Sequence, residues 1–334
     1  MVRYALSNAA ARWLGALILL LACSQSSFAQ GFDRRDVVFG CEGIKCAGWL
    51  YVPTGLKAGE KRPAIVMAHD YSAVKEMYLD NFASKFAKAG FVVLVFDYRF
   101  FGASEGEPRG QLLWPEQVQD YRNAVTWVML QKEVDAGRIG VWGTSYSGAH
   151  VTYLAAYDRR IKAVVAQTPT TDVWEAYIAG MPAEAQGAFF TWLAKDRTER
   201  VASGKINYIA VAAPVDQPSV WPLKEWYEFF MALSKNVPNW ANKITVGSLD
   251  THITYQPMAA INRISPTPYL MIIAAEDAIT PTDAQKRAFE RAKDPKRLVI
   301  VPGRHIDAFG ARQEDFANQA LEWFKAYLMP QPQK

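Results

Sequence analysis

Between residues 36 and 302 the chain alternates short apolar runs, many of them β-branched, with segments of helical periodicity. No other feature constrains the fold as strongly. Strands are expected at 36–39, 47–52, 64–68, 92–96, 138–142, 163–166, 269–274 and 297–301. The later ones lack polar alternation, as strands buried on both faces do. Between them, Tyr78, Phe82 and Phe86 recur every fourth residue and Gly90 closes the segment. Pro115 opens a helix with Val118, Tyr121, Val125 and Val128 on one side, and Phe316, Ala320, Trp323 and Tyr327 form the stripe of the last helix. Such alternation predicts an α/β fold with a mostly parallel, eight-stranded sheet covered by helices on both faces. The first two strands should form an antiparallel hairpin at one edge.

One stretch breaks the rhythm. Residues 171–265 are too many for a structureless loop and are expected to form an inserted, mainly helical cap. Within it Leu223, Trp226, Phe229, Phe230 and Leu233 stand at helical spacing, a stripe that predicts packing against a core.

The N-terminus predicts export. Arg3 and Arg12 precede an apolar run over 14–22, followed by the small-x-small pattern Ser27-Phe28-Ala29, so residues 1–29 read as a signal peptide and 30–334 as the mature domain. The run is short for a transmembrane helix, so no stable span is expected after cleavage. Leu20-Leu21-Ala22-Cys23 gives an alternative, a lipid anchor on Cys23. A periplasmic or secreted location follows in the first case. The mature chain would keep only Cys41 and Cys46, joined by a disulfide in an oxidising compartment. A Cys-x4-Cys pair alone is a poor zinc site. The segment 1–29 holds two of the 37 basic residues and none of the 33 acidic ones, so the net charge of +4 falls to +2 on cleavage. That balance offers no electrostatic footprint for nucleic acid.

The local signal for chemistry is Val141-Trp142-Gly143-Thr144-Ser145-Tyr146-Ser147-Gly148. A buried strand ends at Trp142, and a helix carrying Val151, Leu154 and Ala155 begins just beyond. A serine on so sharp a strand-to-helix turn needs small neighbours, which Gly143, Ser147 and Gly148 supply. The turn lifts the Ser145 hydroxyl above the sheet and points the first helical N–H groups at a reacting carbonyl. A serine hydroxyl needs a base. Of His69, His150, His252 and His305, His305 follows the last strand and so arrives at the carboxyl-terminal rim that Ser145 occupies. His150 is expected to point away from the serine, and His252 to lie in the cap. Asp277, after the strand at 269–274, is the expected acid orienting His305, with the adjacent Glu276 as its rival. The expected oxyanion donors are the Tyr146 backbone N–H and Tyr71, by its N–H or its phenol. Asp97-Tyr98-Arg99 is expected to be a loop held by its own hydrogen bonds. There is no Walker loop, dinucleotide glycine fingerprint or His-Glu-x-x-His, so no cofactor and no metal is expected.

The runs Val66-Met67-Ala68-His69, Lys75-Glu76 and Val95-Phe96-Asp97-Tyr98-Arg99-Phe100-Phe101-Gly102-Ala103-Ser104, together with the serine turn, resemble the α/β-hydrolase superfamily. The branch they are most similar to is the dienelactone-hydrolase-like and X-Pro-dipeptidyl-peptidase-like group, which includes esterases, polyketide thiohydrolases and acyltransferases. The chain order Ser145, Asp277, His305 is that of this superfamily. The resemblance implies these three as nucleophile, acid and base of an ester- or thioester-cleaving serine hydrolase acting on a small acyl substrate. An X-Pro-type peptidase or an acyltransferase is the alternative, and a non-catalytic binding protein belongs to a further class. Two positions depart from the pattern: Asp70 stands where relatives usually have glycine, and Ser147 replaces the commoner second glycine of the turn.

Overall fold

The computed structural model describes residues 31–330. The export segment expected at 1–29, with Cys23, lies outside them. The eight expected strands all form, most a few residues longer than their apolar cores. In chain order they are β1 (Phe32–Cys41), β2 (Ile44–Pro53), β3 (Arg62–Ala68), β4 (Val92–Phe96), β5 (Val134–Thr144) and β6 (Ile161–Gln167). Three short strands follow within the insertion, β7 (Tyr208–Ala212), β8 (Ser219–Trp221) and β9 (Ile244–Thr245), before β10 (Tyr269–Ala274) and β11 (Lys296–Val301) complete the main sheet.

The main sheet runs β1-β2-β4-β3-β5-β6-β10-β11 and is parallel from β4 onward. The hairpin β1–β2 adds an antiparallel edge, turning through Glu42 and Gly43, both at positive φ. That two-residue turn matches the twist of the strands it joins. Cys41 and Cys46 flank it, joined by a disulfide with Cα atoms 5.8 Å apart. β3, β4 and β10 are buried almost throughout, which explains their unbroken apolar character. β11 departs from the expectation of two-sided burial. It is the far edge strand, and Ile300 is 47% exposed on it.

The helices are α1 (Leu79–Lys88), α2 (Trp114–Met129), α3 (Ser145–Tyr157), α4 (Ala183–Ser203), α5 (Lys224–Ser234), α6 (Ser248–His252), α7 (Thr282–Glu290) and α8 (Gln313–Leu328). α1 and α8 contact each other and the sheet, their Phe86 and Phe324 rings 5.7 Å apart. α2 and α3 pack together on it as a second pair. The segment between β6 and β10 carries α4, α5 and α6, but also the small sheet β8-β7-β9 that a mainly helical expectation leaves out. These strands are two to five residues long, too short for a periodic signal.

From β3 the chain moves outward to β4, then crosses back to place β5 on the other side of β3 and continues to β6. β3 and β5 are therefore adjacent strands whose connections leave in opposite directions. In open parallel sheets a ligand crevice forms at that reversal, beyond the carboxyl ends of the strands. Ser145 follows β5 there, and His69-Asp70-Tyr71 follows β3.

Candidate active site

Ser145 is the first residue of α3 and has φ +52°, a left-handed conformation that non-glycine residues rarely adopt. Strain of this kind persists only where surrounding structure imposes it. Here the neighbours are crowded: a Cβ on Gly143 would lie 2.2 Å from the Ser147 carbonyl oxygen, and one on Gly148 would lie 2.9 Å from that of Gln167. Ser147 is more than a small residue. Its Oγ meets the hydroxyls of Tyr98 at 3.2 Å and Tyr121 at 3.1 Å, and Tyr121 donates to the Trp142 carbonyl at 2.7 Å. These buried bonds tie the serine turn to β5 and to the loop after β4. Since neither side of the 2.2 Å clash can yield cheaply, Gly143→Ala should destabilise the protein by ~1–3 kcal/mol. An unchanged urea midpoint in that variant would show that the turn has slack.

His305 opens a short 3-10 helix, His305–Phe309, just after β11. Its Nδ1 donates to Asp277 Oδ2 at 2.8 Å, and both side chains are buried. Asp277 is further held by the backbone N–H groups of Ile279 (2.9 Å) and Thr280 (2.8 Å) on Oδ1 and by the Thr280 hydroxyl (2.8 Å) on Oδ2. Glu276 is exposed, so of the two adjacent acids the structure brings Asp277 to His305. The other imidazole nitrogen, Nε2, is buried and makes no hydrogen bond among the described residues. Ser145, only 4% exposed, stands at the same sheet rim without a hydrogen bond to His305. Such bonds often tighten only in the substrate complex.

The other histidines have structural partners. His150 bonds the Tyr255 hydroxyl (2.8 Å) and Gln117 (3.0 Å), and burial pushes it down to about 3. His69 lies 2.9 Å from the Asp70 carbonyl oxygen through Nδ1, and burial lowers its pKa as well. His252, from α6, meets the Tyr146 hydroxyl at 3.2 Å and is likewise pushed down to about 3 by burial. Each is held neutral at ordinary pH.

The expected oxyanion residues lie side by side. Tyr146 is the second residue of α3, where backbone N–H groups have no intrahelical acceptor. The Tyr71 ring packs edge-on against Tyr146, 5.2 Å away, and its buried hydroxyl has no hydrogen-bond partner among the described residues. Asp97-Tyr98-Arg99 is bound into the fold. Asp97 accepts from the Lys75 ammonium (2.8 Å) and from the Ala103 N–H (2.9 Å), while Arg99 reaches Asp120 at 2.6 Å.

Residues of the insertion pack against this centre. Trp226 of α5 lies 5.5 Å from the His305 ring, and Phe229 lies 5.6 Å from Phe309. Thr280, whose hydroxyl touches both Asp277 and His305 Nδ1, and Trp226 above the imidazole are missed as site residues by sequence reasoning. No spacing rule marks Thr280, and Trp226 reads only as one member of a packing stripe. Beside the centre lies a cavity of about 640 Å³ lined by cap and core residues, including Tyr177, Met181, Phe189, Trp221, His252 and Ile279. None of its lining residues is Asp, Glu, Lys or Arg. Tyr71 packs against two of its walls, Trp221 (5.7 Å) and His252 (5.0 Å), which places the cavity one ring from the serine turn.

Among the described residues, three potential metal ligands converge at Cys41, Cys46 and Asp120. The two sulfurs are joined in the disulfide and Asp120 is engaged by Arg99, so the set does not fit an ion. No helix of the described residues is long and apolar enough to cross a membrane.

Comparison with known proteins agrees with this architecture. The chain is 32% identical over 252 residues to quorum-quenching protein AidA of Acinetobacter baumannii, covering 75% of this chain and 81% of that protein. It is 32% identical to thiohydrolase aneE of Aspergillus aculeatus, covering 79% and 83%. The crystal structure of the α/β-hydrolase GrgF from Penicillium sp. superposes with a TM-score of 0.77 at 27% identity, covering 89% of this chain and 99% of that one. The family described as X-Pro dipeptidyl-peptidase (S15 family) matches residues 42–307. With that match spanning the main sheet from β2 to β11, the chain belongs to the family described as X-Pro dipeptidyl-peptidase (S15 family), within the α/β-hydrolase superfamily.

Proposed function

We propose that the protein is a serine hydrolase that cleaves a carboxylic ester or thioester through an acyl-enzyme on Ser145. The observation that carries this reading is the state of His305: one ring nitrogen is bonded to buried Asp277 and the other is buried with no hydrogen-bond partner among the described residues. An imidazole held in that tautomer is ready to accept a proton. In the first step Ser145 Oγ adds to the substrate carbonyl while His305 Nε2 takes the hydroxyl proton. The carbon–oxygen or carbon–sulfur bond then breaks, and the leaving group departs with that proton. Water repeats the sequence: its proton passes to His305 and on to Ser145 Oγ, and the carboxylic acid is released. The Tyr146 N–H and Tyr71 stand as donors for the oxyanion.

The cavity supports an apolar acyl group. Its volume suits a small ligand, and its one titratable imidazole is held neutral. An X-Pro dipeptide presents a free ammonium, for which this lining offers no carboxylate. That counts against the peptidase reading despite the family's name. Export remains part of the proposal, supported by the Cys41–Cys46 bridge, since such bonds persist in oxidising compartments.

A series of esters and thioesters of graded acyl length tests the reading. We expect kcat/KM to rise by up to about fourfold per added methylene until the cavity is full, and an Xaa-Pro anilide to be a poor substrate. Faster cleavage of the anilide than of every acyl ester would overturn the proposal.

A further inference from the structure

The least expected side chain near the centre is Asp70. β3 and β5 are parallel neighbours in the register Ala68↔Gly143, so Asp70 and Ser145 each follow that pair by two residues at the same rim of the sheet. The Asp70 backbone is pinned: its N–H donates to the Tyr78 hydroxyl at 3.2 Å and its carbonyl oxygen lies 2.9 Å from His69 Nδ1. Its carboxyl is not. The residue is 1% exposed, yet neither carboxyl oxygen makes a well-formed hydrogen bond, the Tyr78 hydroxyl acting on them only weakly, and no Lys or Arg pairs with them among the described residues. Two other buried polar atoms, the hydroxyl of Tyr71 next in the chain and His305 Nε2, also have no hydrogen-bond partner among the described residues. A bare carboxylate in such a place is strongly disfavoured, whereas a neutral carboxylic acid is tolerated and carries a proton to donate.

We infer that Asp70 works as a neutral carboxylic acid, a substrate-facing hydrogen-bond donor beside the Ser145 acyl-transfer centre, and that its ionisation switches the enzyme off. This rests on the acyl-enzyme reading above. The acceptor is an oxygen of the ester or thioester, whose carbonyl gains negative charge as Ser145 adds. An ionised Asp70 would put a second negative charge at that rim. The titratable groups facing it are Tyr78 before α1, His69 at the end of β3, Tyr71 next in the chain and His305 after β11. Burial pushes the Asp70 carboxyl from 3.8 up to about 7, against the smaller opposing pull of Tyr78 and then His305. The folded protein therefore holds the acid neutral at mildly acidic pH and loses that proton as pH rises through about 7.

The sign for stability follows. Below the unfolded value both states are protonated and the site carries no penalty. As pH rises from about 4 to about 7 the unfolded chain releases the proton while the folded one keeps it, so stability falls. Above that range the loss is complete. Asp70→Asn removes the ionisation and keeps an N–H donor, so its Tm advantage over the wild type should open between pH 4 and pH 8.

The test measures kcat/KM for one short-chain ester from pH 5 to 9.5 in the wild type, Asp70→Asn and Asp70→Leu, with fluorophosphonate labelling of Ser145 alongside. The wild type should fall by nearly tenfold per pH unit above about 7. From pH 7 upward the Asn variant should stay level and exceed the wild type at least tenfold at pH 9. The Leu variant should be level but lower, by roughly 10²-fold, for want of a donor. Labelled Ser145 with the same alkaline fall in the Asn variant as in the wild type overturns the Asp70 inference alone. If no protein labels at Ser145 at any pH, the acyl-enzyme reading falls and this inference with it. Should the Leu variant fold poorly, the wild type and Asp70→Asn still decide: a Tm difference between them that does not change between pH 4 and 8 overturns the inference.

Discussion

The Ser145→Ala protein is expected to retain its fold and lose roughly 10⁴-fold or more in kcat, with fluorophosphonate labelling abolished. In the proposed mechanism the acyl bond forms on Ser145 Oγ, and the neighbouring hydroxyls have partners: Thr144 Oγ1 accepts from Gln167 at 3.2 Å and the Tyr146 phenol meets His252 at 3.2 Å. Ser147 is already engaged by Tyr98 and Tyr121. Residual activity would report the oxyanion donors and substrate binding. Stability separates two truncations at this position. Alanine keeps a Cβ at φ +52°, whereas Ser145→Gly removes it, so the glycine variant should melt higher than the alanine variant by an amount worth about 1 kcal/mol. Both should be inactive. Undiminished turnover in either would remove Ser145 from the chemistry.

Asp277→Asn should lower kcat by a similar factor, about 10⁴. The reason lies in the two sides of the carboxylate. Oδ1 accepts two backbone N–H groups, from Ile279 and Thr280, while Oδ2 accepts His305 Nδ1–H. In the variant the amide oxygen must stay with the backbone donors, because an NH2 group there would meet two N–H groups head-on. The amide NH2 then faces His305 Nδ1, which must give up its proton to accept. That leaves the proton on Nε2, where it blocks transfer from Ser145. The neighbouring Glu276→Gln, on an exposed side chain, should stay within twofold of the wild type. A loss of less than about tenfold in Asp277→Asn, measured as single-turnover acylation, would mean that the Asp277–His305 bond serves stability rather than chemistry.

Some of the site is legible in the chain because local signals mark it. Gly143 and Gly148 around Ser145 announce a crowded turn, and the structure shows the crowding atom by atom. The carboxyl ends of three strands supply Ser145, Asp277 and His305, since a parallel sheet brings all such ends to one rim whatever their separation in sequence. Less legible is the choice between Glu276 and Asp277. Adjacent acids share a pattern, and only the turn that hands Oδ1 to Ile279 and Thr280 aims one of them at His305. The small sheet β8-β7-β9 escapes notice because its strands are too short to carry a period. Ser147 reads as a spacer, yet its hydroxyl joins a buried network with tyrosines from two distant elements.

The amino-acid sequence alone determined the strand–helix alternation, the antiparallel edge hairpin, the sharp serine turn and the identity of the histidine that reaches the rim. These follow from periodicity and from the size of near neighbours, which act over a few residues. Tertiary structure decided which acid meets His305, that Trp226 packs on that imidazole, that an uncharged cavity lies beside Tyr71, and that the Asp70 carboxyl is buried without a cationic partner among the described residues. Each of those facts joins elements far apart in the chain. The packing of the insertion against the sheet sets burial and hydrogen-bond partners there, and no local pattern encodes it.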